Sequence, residues 1–366
     1  MSDIEQARIA RQSPKSAASR GTSPHNANNV TTQITPALDA EELSEDNLSV
    51  RGESVASSST SVTSSVLQYR TENGRTYHGY KDGKYLMPND DRENKRLDIQ
   101  HNMFILTFDN QLGRAPVNAK DTSIKVGRVL DVGTGTGIWA MDFADEHPES
   151  EVLGVDLSPI QSTFVPQNVK FEIDDIEEPW TFSQPFDYIH SRLMTSSIGN
   201  WQEYIQKCFD NLNPNGYLEL NEVDLYCKSD DGTLAHDAAL NRFSKLWGEA
   251  AVMFGHAFQD NTTLKDLMAD AGFVDINVKV FKWPSNPWPR DRKHKELGYW
   301  NLDNSVAGLE GFMLGALTRA HNWTKEEVTV FAMEVRNEMK NPRIHSYQTF
   351  WSVYGRKPTA EEVVAN

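Results

Sequence analysis

Cysteine is nearly missing from this chain of 366 residues. Cys208 and Cys227 are the two, and neither sits in a CxxC pair or a histidine-rich stretch. Neither a disulfide framework nor a metal site is expected, and a reducing compartment suits the chain. An excess of base is missing too. With 36 Lys and Arg against 52 Asp and Glu, the formal net charge is −16. That balance argues against direct nucleic-acid binding, which draws its affinity from a basic stripe. No apolar run approaches the roughly 20 residues needed to cross a bilayer, and the first residues lack an apolar signal-peptide core. The expectation is a cytoplasmic or nuclear protein, or one found in both, without a membrane partner.

Apolar side chains are also scarce over the first 65 residues. Ser54–Ser65 is almost entirely Ser, Thr and Val, and Ser13-Pro14 and Ser23-Pro24 are candidate kinase sites. Such a segment buries too little surface to offset the entropy of ordering it. Residues 1–65 are therefore expected to form a disordered arm, a solvated tail or a partner-binding one. Residues 66–124 read as a cap segment with a helix over Asp90–Phe108, where Leu97, His101, Phe104 and Phe108 share a face. Residues 359–366 read as a tail.

Between these ends, short apolar runs alternate with helical patterns. Arg128–Asp131, Glu151–Asp156, Val169–Ile173, Phe186–His190 and Tyr217–Glu222 read as strands, the last preceded by an Asn213-Pro214-Asn215-Gly216 turn. Val274–Lys282 and Gln348–Tyr354 complete seven. The pattern predicts an α/β fold, a doubly wound, mostly parallel seven-stranded sheet over 125–358, with helical insertions at 234–254 and 295–340 around the last two strands. Thr324 and Glu327 form a predicted capping box.

The strongest single motif is Val129–Trp139, VLDVGTGTGIW: a strand, Gly133, Gly135 and Gly137 at every second position, then a helix. Such a turn lets a ligand press against bare backbone. A dinucleotide turn wants G-x-G-x-x-G, but Ile138 stands where its third glycine belongs, and no GK[ST] follows for a phosphate loop. Asp131, ahead of the turn, suits an ammonium and a sulfonium better than a pyrophosphate. S-Adenosylmethionine carries both cations and is the expected cofactor. Asp156, at the end of the second strand, is placed to accept from both ribose hydroxyls, and Leu157 to pack on the adenine. Asp174, Asp175 and Ile176 follow the third strand and are candidates for the adenine amino group and ring. His190 and Ser191 end the fourth strand near the methionine part. Tyr85, ahead of Tyr77 and Tyr80, is the preferred lid residue.

This set resembles the class I S-adenosylmethionine-dependent methyltransferases over roughly residues 125–223. Asn73–Pro88, FDYIHSR (186–192), LELNEVD (218–224), and the downstream PWPRD, LGYWNLDNSVAGLEGF and VYGRKP are similar to the fungal LaeA-like methyltransferases, over about residues 70–358. The resemblance implies a methyltransferase fold, S-adenosylmethionine binding, a link to secondary metabolism and, in some members, a nuclear complex with velvet-type regulators. The acceptor is left open as a small molecule or a protein, and the alternative is a non-catalytic or weakly catalytic nuclear regulatory protein acting through velvet-type partners.

Methyl transfer from a sulfonium is an in-line displacement with a neutral leaving group. Alignment supplies most of the rate, and a general base is optional. His190, Glu222 and His256 are the candidate bases, and His101 is expected to pack or cap the cofactor. Tyr299 and Trp300, beside Trp283 and Trp288, are the candidate acceptor pocket. No Asn-Pro-Pro-Tyr or Pro-Cys motif supports amide or cytosine chemistry.

Overall fold

In the computed structural model, residues 31–34 and 69–364 are described. The elements run β1 (Thr31–Ile34), β2 (Arg70–Glu72), β3 (Arg75–Tyr77), α1 (Asp91–Thr107), β4 (Arg128–Val132), α2 (Ile138–Glu146), β5 (Glu151–Asp156), β6 (Val169–Ile173) and β7 (Phe186–Arg192). They continue with α3 (Trp201–Asp210), β8 (Leu212–Val223), α4 (Ala239–Met253), α5 (Leu264–Asp270), β9 (Val274–Pro284), α6 (Arg292–His321), α7 (Lys325–Met339), β10 (Tyr347–Arg356) and α8 (Ala360–Val364).

The sheet has the order β1-β9-β10-β8-β7-β4-β5-β6. β4 pairs in parallel with β5 and β7, β5 with β6, and β7 with β8, while β10 is antiparallel to both β8 and β9. The seven expected strands are all present. The eighth, β1, pairs in parallel with β9 through Thr31↔Asn277 to Ile34↔Val280. It falls within the segment expected to lack structure; the rest of residues 1–65 lies outside the described residues.

Period-two alternation on the strands builds two layers. Leu130 and Val132 of β4 and Leu218 and Leu220 of β8 face Trp201, Ile205 and Cys208 of α3 and Met268 of α5. On the other side Val129 and Tyr188 meet Trp139, Ala140 and Phe143 of α2. A third cluster joins the inserted helices, with Phe243 of α4, Met313 and Leu317 of α6, and Phe331 and Val335 of α7. Among the described residues no helix is long and apolar enough to cross a membrane.

Three local expectations change. The Asn213–Gly216 turn is an excursion inside β8: the pairs Phe186↔Leu212 and Tyr188↔Tyr217 leave extra residues on one strand, and Asn215 takes a φ of 67°. α4 begins at Ala239, not Leu234. Residues 229–233 are tied into a turn by the Asp231 carboxylate, which accepts from Ser229 and Thr233. The N-terminus of α4 is then capped from α7, where Glu338 accepts from the amides of Ala239 and Leu240. Within the expected tail, residues 360–364 are helical, with Arg356 paired to Glu362. The Thr324–Glu327 capping box on α7 is present.

Candidate functional site

The strand order reverses between β4 and its neighbours β5 and β7, and a ligand crevice opens at the carboxyl ends of strands at such a point. A cavity of about 250 Å³ lies there. Its lining at the strand ends includes Tyr85, Leu97, Asp131, Gly133, Gly135, Asp156, Leu157, Asp174, Asp175 and Ile176.

The turn itself is held from several sides. Asp131 is 3% exposed; its Oδ1 meets His190 Nδ1 at 2.8 Å and its Oδ2 accepts from Thr134 Oγ1 at 2.6 Å. Asp156 Oδ2 accepts from the Gly135 amide and Oδ1 from the Ser158 amide, both at 2.9 Å. Burial raises the Asp156 carboxyl to about 6, against the pull of those two amides. Gln161 donates to the Gly135 carbonyl at 2.7 Å, and Thr136 to Asp98 of α1 at 3.1 Å. α1 therefore lies directly over the glycines.

Gly137 has a different task. It does not line the cavity. Its φ is 80°, and a Cβ there would come within 2.3 Å of the Phe171 ring. It lets the start of α2 close on β6.

Two further corrections concern β7. His190 is 1% exposed, its ring stacked 3.7 Å from Trp139, and it faces α2 rather than the cavity. Ser191 is fully buried on the opposite face. Strand alternation turns both away, and Arg192 at the end of the strand and the loop 193–197 after it supply the wall instead. His190 thus orients Asp131 from behind. Glu222 is also fully buried; its Oε1 accepts from the Met194 amide at 3.1 Å, and burial raises its carboxyl well above the ordinary value.

His256 does not line the cavity either. It holds Glu177 at 3.0 Å, and Glu177 also pairs with Lys84 at 3.0 Å and accepts from the Gly199 amide at 2.7 Å. Lys84 pairs in turn with Asp175. Burial opposes ionisation of Glu177, but the hydrogen bonds from His256, Gly199 and Lys84 bring it down to about 2. The bond to Glu177 raises His256 against its own burial. This latch ties the segment carrying Tyr85 to the loop after β6. His101 packs: it bridges Asp142 at 2.8 Å and Arg192 at 3.1 Å.

The rest of the lining, toward α4 and α6, is rich in apolar side chains. Leu225, Leu240, Phe243, Trp247, Phe258 and Phe312 belong to it, with Ser244, Asn304, Ser305 and the buried Glu93 and Arg96 among the polar groups. Tyr299 and Trp300, expected here, lie on the outer face of α6, 48% and 38% exposed. Of the neighbouring tryptophans, Trp283 reaches the cavity, stacked on Phe350 at 4.9 Å. Trp288 is buried against Ser346. The contributions of Glu93 and Arg96, and of the loop after β7, were missed in the sequence. The buried charges had one signal, an Arg three residues after a Glu on a helix otherwise expected to show an apolar face.

The residues at the turn suit S-adenosylmethionine. Asp131, Asp156 and Asp174 line the cavity at the strand ends, and among the described residues none of the three is ion-paired to a Lys or Arg, a placement of negative charge matched to an ammonium and a sulfonium. The bare glycine backbone leaves room for a ligand beside them.

The sheet order with its antiparallel β10, together with this turn, defines a class I methyltransferase. Residues 100–278 match the family model described as a methyltransferase domain. The chain is 39% identical over 303 residues to methyltransferase pytC of Aspergillus terreus, covering 82% of this chain and 92% of that one. It is 32% identical over 302 residues to the probable methyltransferase tdiE of Emericella nidulans, 82% and 92% covered. With the protein-methionine methyltransferase laeA of the same fungus it shares 35% over 296 residues, 80% and 77% covered. The chain belongs to the LaeA-like methyltransferases, a family tied to fungal secondary metabolism.

Proposed function

We propose that the protein uses S-adenosylmethionine to methylate a small acceptor taken into the part of its cavity walled by α4 and α6. The observation that supports this reading is the continuity of one cavity from the glycine turn to the apolar wall made by α4 and α6. In this reading Asp131 would hold the ammonium end of the donor, and Asp156 the ribose hydroxyls. Leu157, Asp174, Asp175 and Ile176 would hold the adenine, and Tyr85 would cover it. Bound there, the donor supplies an electrophilic methyl group. The chain's own part is to align the acceptor and exclude water, worth effective molarities of about 10⁵ M or more. None of His190, Glu222 and His256 lines the cavity, so no general base is assigned to them. Incubating the protein and a fungal extract with methyl-labelled donor tests the reading. Label in an organic-soluble product, lost in Gly135→Arg, is expected; label in protein alone would reject it.

A protein acceptor is a second reading, supported by Met194. Its side chain lies on the glycine turn, where a Cβ on Gly133 would meet its Sδ at 2.4 Å. One relative carries the name protein-methionine methyltransferase, and a thioether needs no base. Peptide mass spectrometry after incubation with donor alone would then show one added methyl on the Met194 peptide, and none in Met194→Leu. Relatives described as secondary metabolism regulators support a regulatory role with velvet-type partners, in the nucleus, the cytoplasm or both. Capture of such partners by the full chain, lost on removing residues 1–65, is the expected result.

A further inference from the structure

We infer that Arg192 binds the α-carboxylate of the donor while Asp131 holds its ammonium, so that the site selects an amino-acid zwitterion. The inference rests on the donor reading above and adds the group that reads the carboxylate.

Three cations line the cavity: Lys84, Arg96 and Arg192. Two of them are taken. Lys84 pairs with Asp175 and Glu177, and Arg96 with Glu93. Among the described residues no carboxylate is in contact with Arg192; its Nη1 donates to His101 Nδ1 at 3.1 Å, and its guanidinium carbon lies 4.8 Å from the centre of the Phe104 ring. Because Nδ1 accepts, the His101 proton sits on Nε2, toward Asp142 at 2.8 Å. The guanidinium is thus held at Nη1 and covered on one face. Nε and Nη2 carry no hydrogen bond among the described residues, yet neither is sealed into the packing. Arg192 keeps part of its surface open, and the cavity is the space it lines. Burial pulls the guanidinium down to about 10, as befits a charge set deep in the protein. A buried cation without a contacting anion is unfavourable, and an anionic ligand relieves it. Nε and Nη2 form one edge of the guanidinium, a fork that fits both oxygens of a carboxylate.

The place of Arg192 says which carboxylate. His190 pairs with Asp131 across β7 and β4, and Arg192 follows two residues later on the same face, nearer the carboxyl ends of the strands. Of the acids acting on Arg192, Asp131 acts most strongly, ahead of Asp142 and Asp98. An acid and a base that are near but not in contact leave a gap suited to a group carrying both charges. The α-carbon of the donor bears an ammonium and a carboxylate, so the residues that read them must be neighbours. The surrounding acids do not oppose this. The donor brings two cations, ammonium and sulfonium, against one anion, and that anion requires the unpaired guanidinium.

Calorimetry on the full chain at neutral pH tests this with three probes. S-Adenosylhomocysteine carries both charges, its decarboxylated form keeps only the amine, and 5′-methylthioadenosine has neither. The unaltered protein is expected to bind S-adenosylhomocysteine at least about tenfold more tightly than the decarboxylated form. Arg192→Gln should shrink that preference to within about threefold, by weakening S-adenosylhomocysteine and leaving the other two probes unchanged. Arg192→Met, neutral and of similar length, repeats the comparison should the glutamine variant not fold, and retained 5′-methylthioadenosine binding shows that a variant is folded. Absence of a preference in the unaltered protein would overturn the inference. So would a preference that survives both substitutions, or a loss of all three probes alike in both, as a merely structural role would give. If neither S-adenosylhomocysteine nor 5′-methylthioadenosine binds the unaltered protein, the donor reading itself fails; if both bind and the carboxylate brings nothing, the donor reading stands and the role of Arg192 falls.

Discussion

Burial holds the Asp156 carboxyl near 6 while the amides of Gly135 and Ser158 fix its direction. Its folded value lies above the ordinary carboxylate range. In the ligand-free protein its contribution therefore favours folding below about pH 4 and is lost as pH rises through about 6. Donor binding runs the other way, since the ionised form is the better acceptor for hydroxyls. S-Adenosylhomocysteine affinity should fall several-fold between about pH 7.5 and about pH 5, and Asp156→Asn should flatten that profile and cost about tenfold to hundredfold at neutral pH. Gly137 separates folding from binding. Gly137→Ala strains a positive φ and drives a methyl into Phe171, a loss on the order of 1–3 kcal/mol in denaturant unfolding. The donor affinity of the folded fraction should stay unchanged, because Gly137 does not touch the cavity. At this scale the acids at strand ends were legible, since position along a parallel strand fixes which end of the sheet a residue occupies. Which face it points to depends on pleat phase, and for His190 and Ser191 that phase leads away from the cavity.

Elements were read more securely than their ends. The seven strands and the long helices follow from apolar periodicity, a signal that tertiary contacts reinforce. The start of α4 was not readable, because its cap is Glu338, about a hundred residues downstream. Tyr299 and Trp300 misled for a related reason: aromatic content marks α6 as buried without saying which side of a long helix faces inward. The latch between Lys84, Glu177 and His256 was equally invisible, as it joins three separate loops. Glu177, depressed to about 2, contributes stability above the ordinary glutamate value and loses it as pH falls through about 2. His256, raised, contributes below its ordinary value and loses it as pH rises through its folded one. The latch is therefore complete between about pH 5 and 6.5. Glu177→Gln should lower stability by about 1 kcal/mol at pH 6, and by less at pH 8.5, as read from urea midpoints.

Over the whole molecule, the polar arm contributes a strand that composition alone argued against. β1 covers the outer edge of β9, and an uncovered edge is a template for pairing with another chain. Removal of residues 1–68 should leave donor affinity unchanged but raise self-association, measured by light scattering at increasing concentration. The same edge carries a consequence for the order in which the molecule can be made. Among the described strands, β9 touches only β1 and β10, and β10 is the last of all. Everything needed for the glycine turn, from β4 to β8, leaves the ribosome by Val223, well before β10 exists. Domains form as their segments emerge, so a nascent chain can hold its donor half while the acceptor wall is still open. β10 is then the strand that joins β9, and β1 beside it, to β8 and the rest of the sheet. Among the described strands, the first to be made is thus tied to the rest of the sheet only by the last.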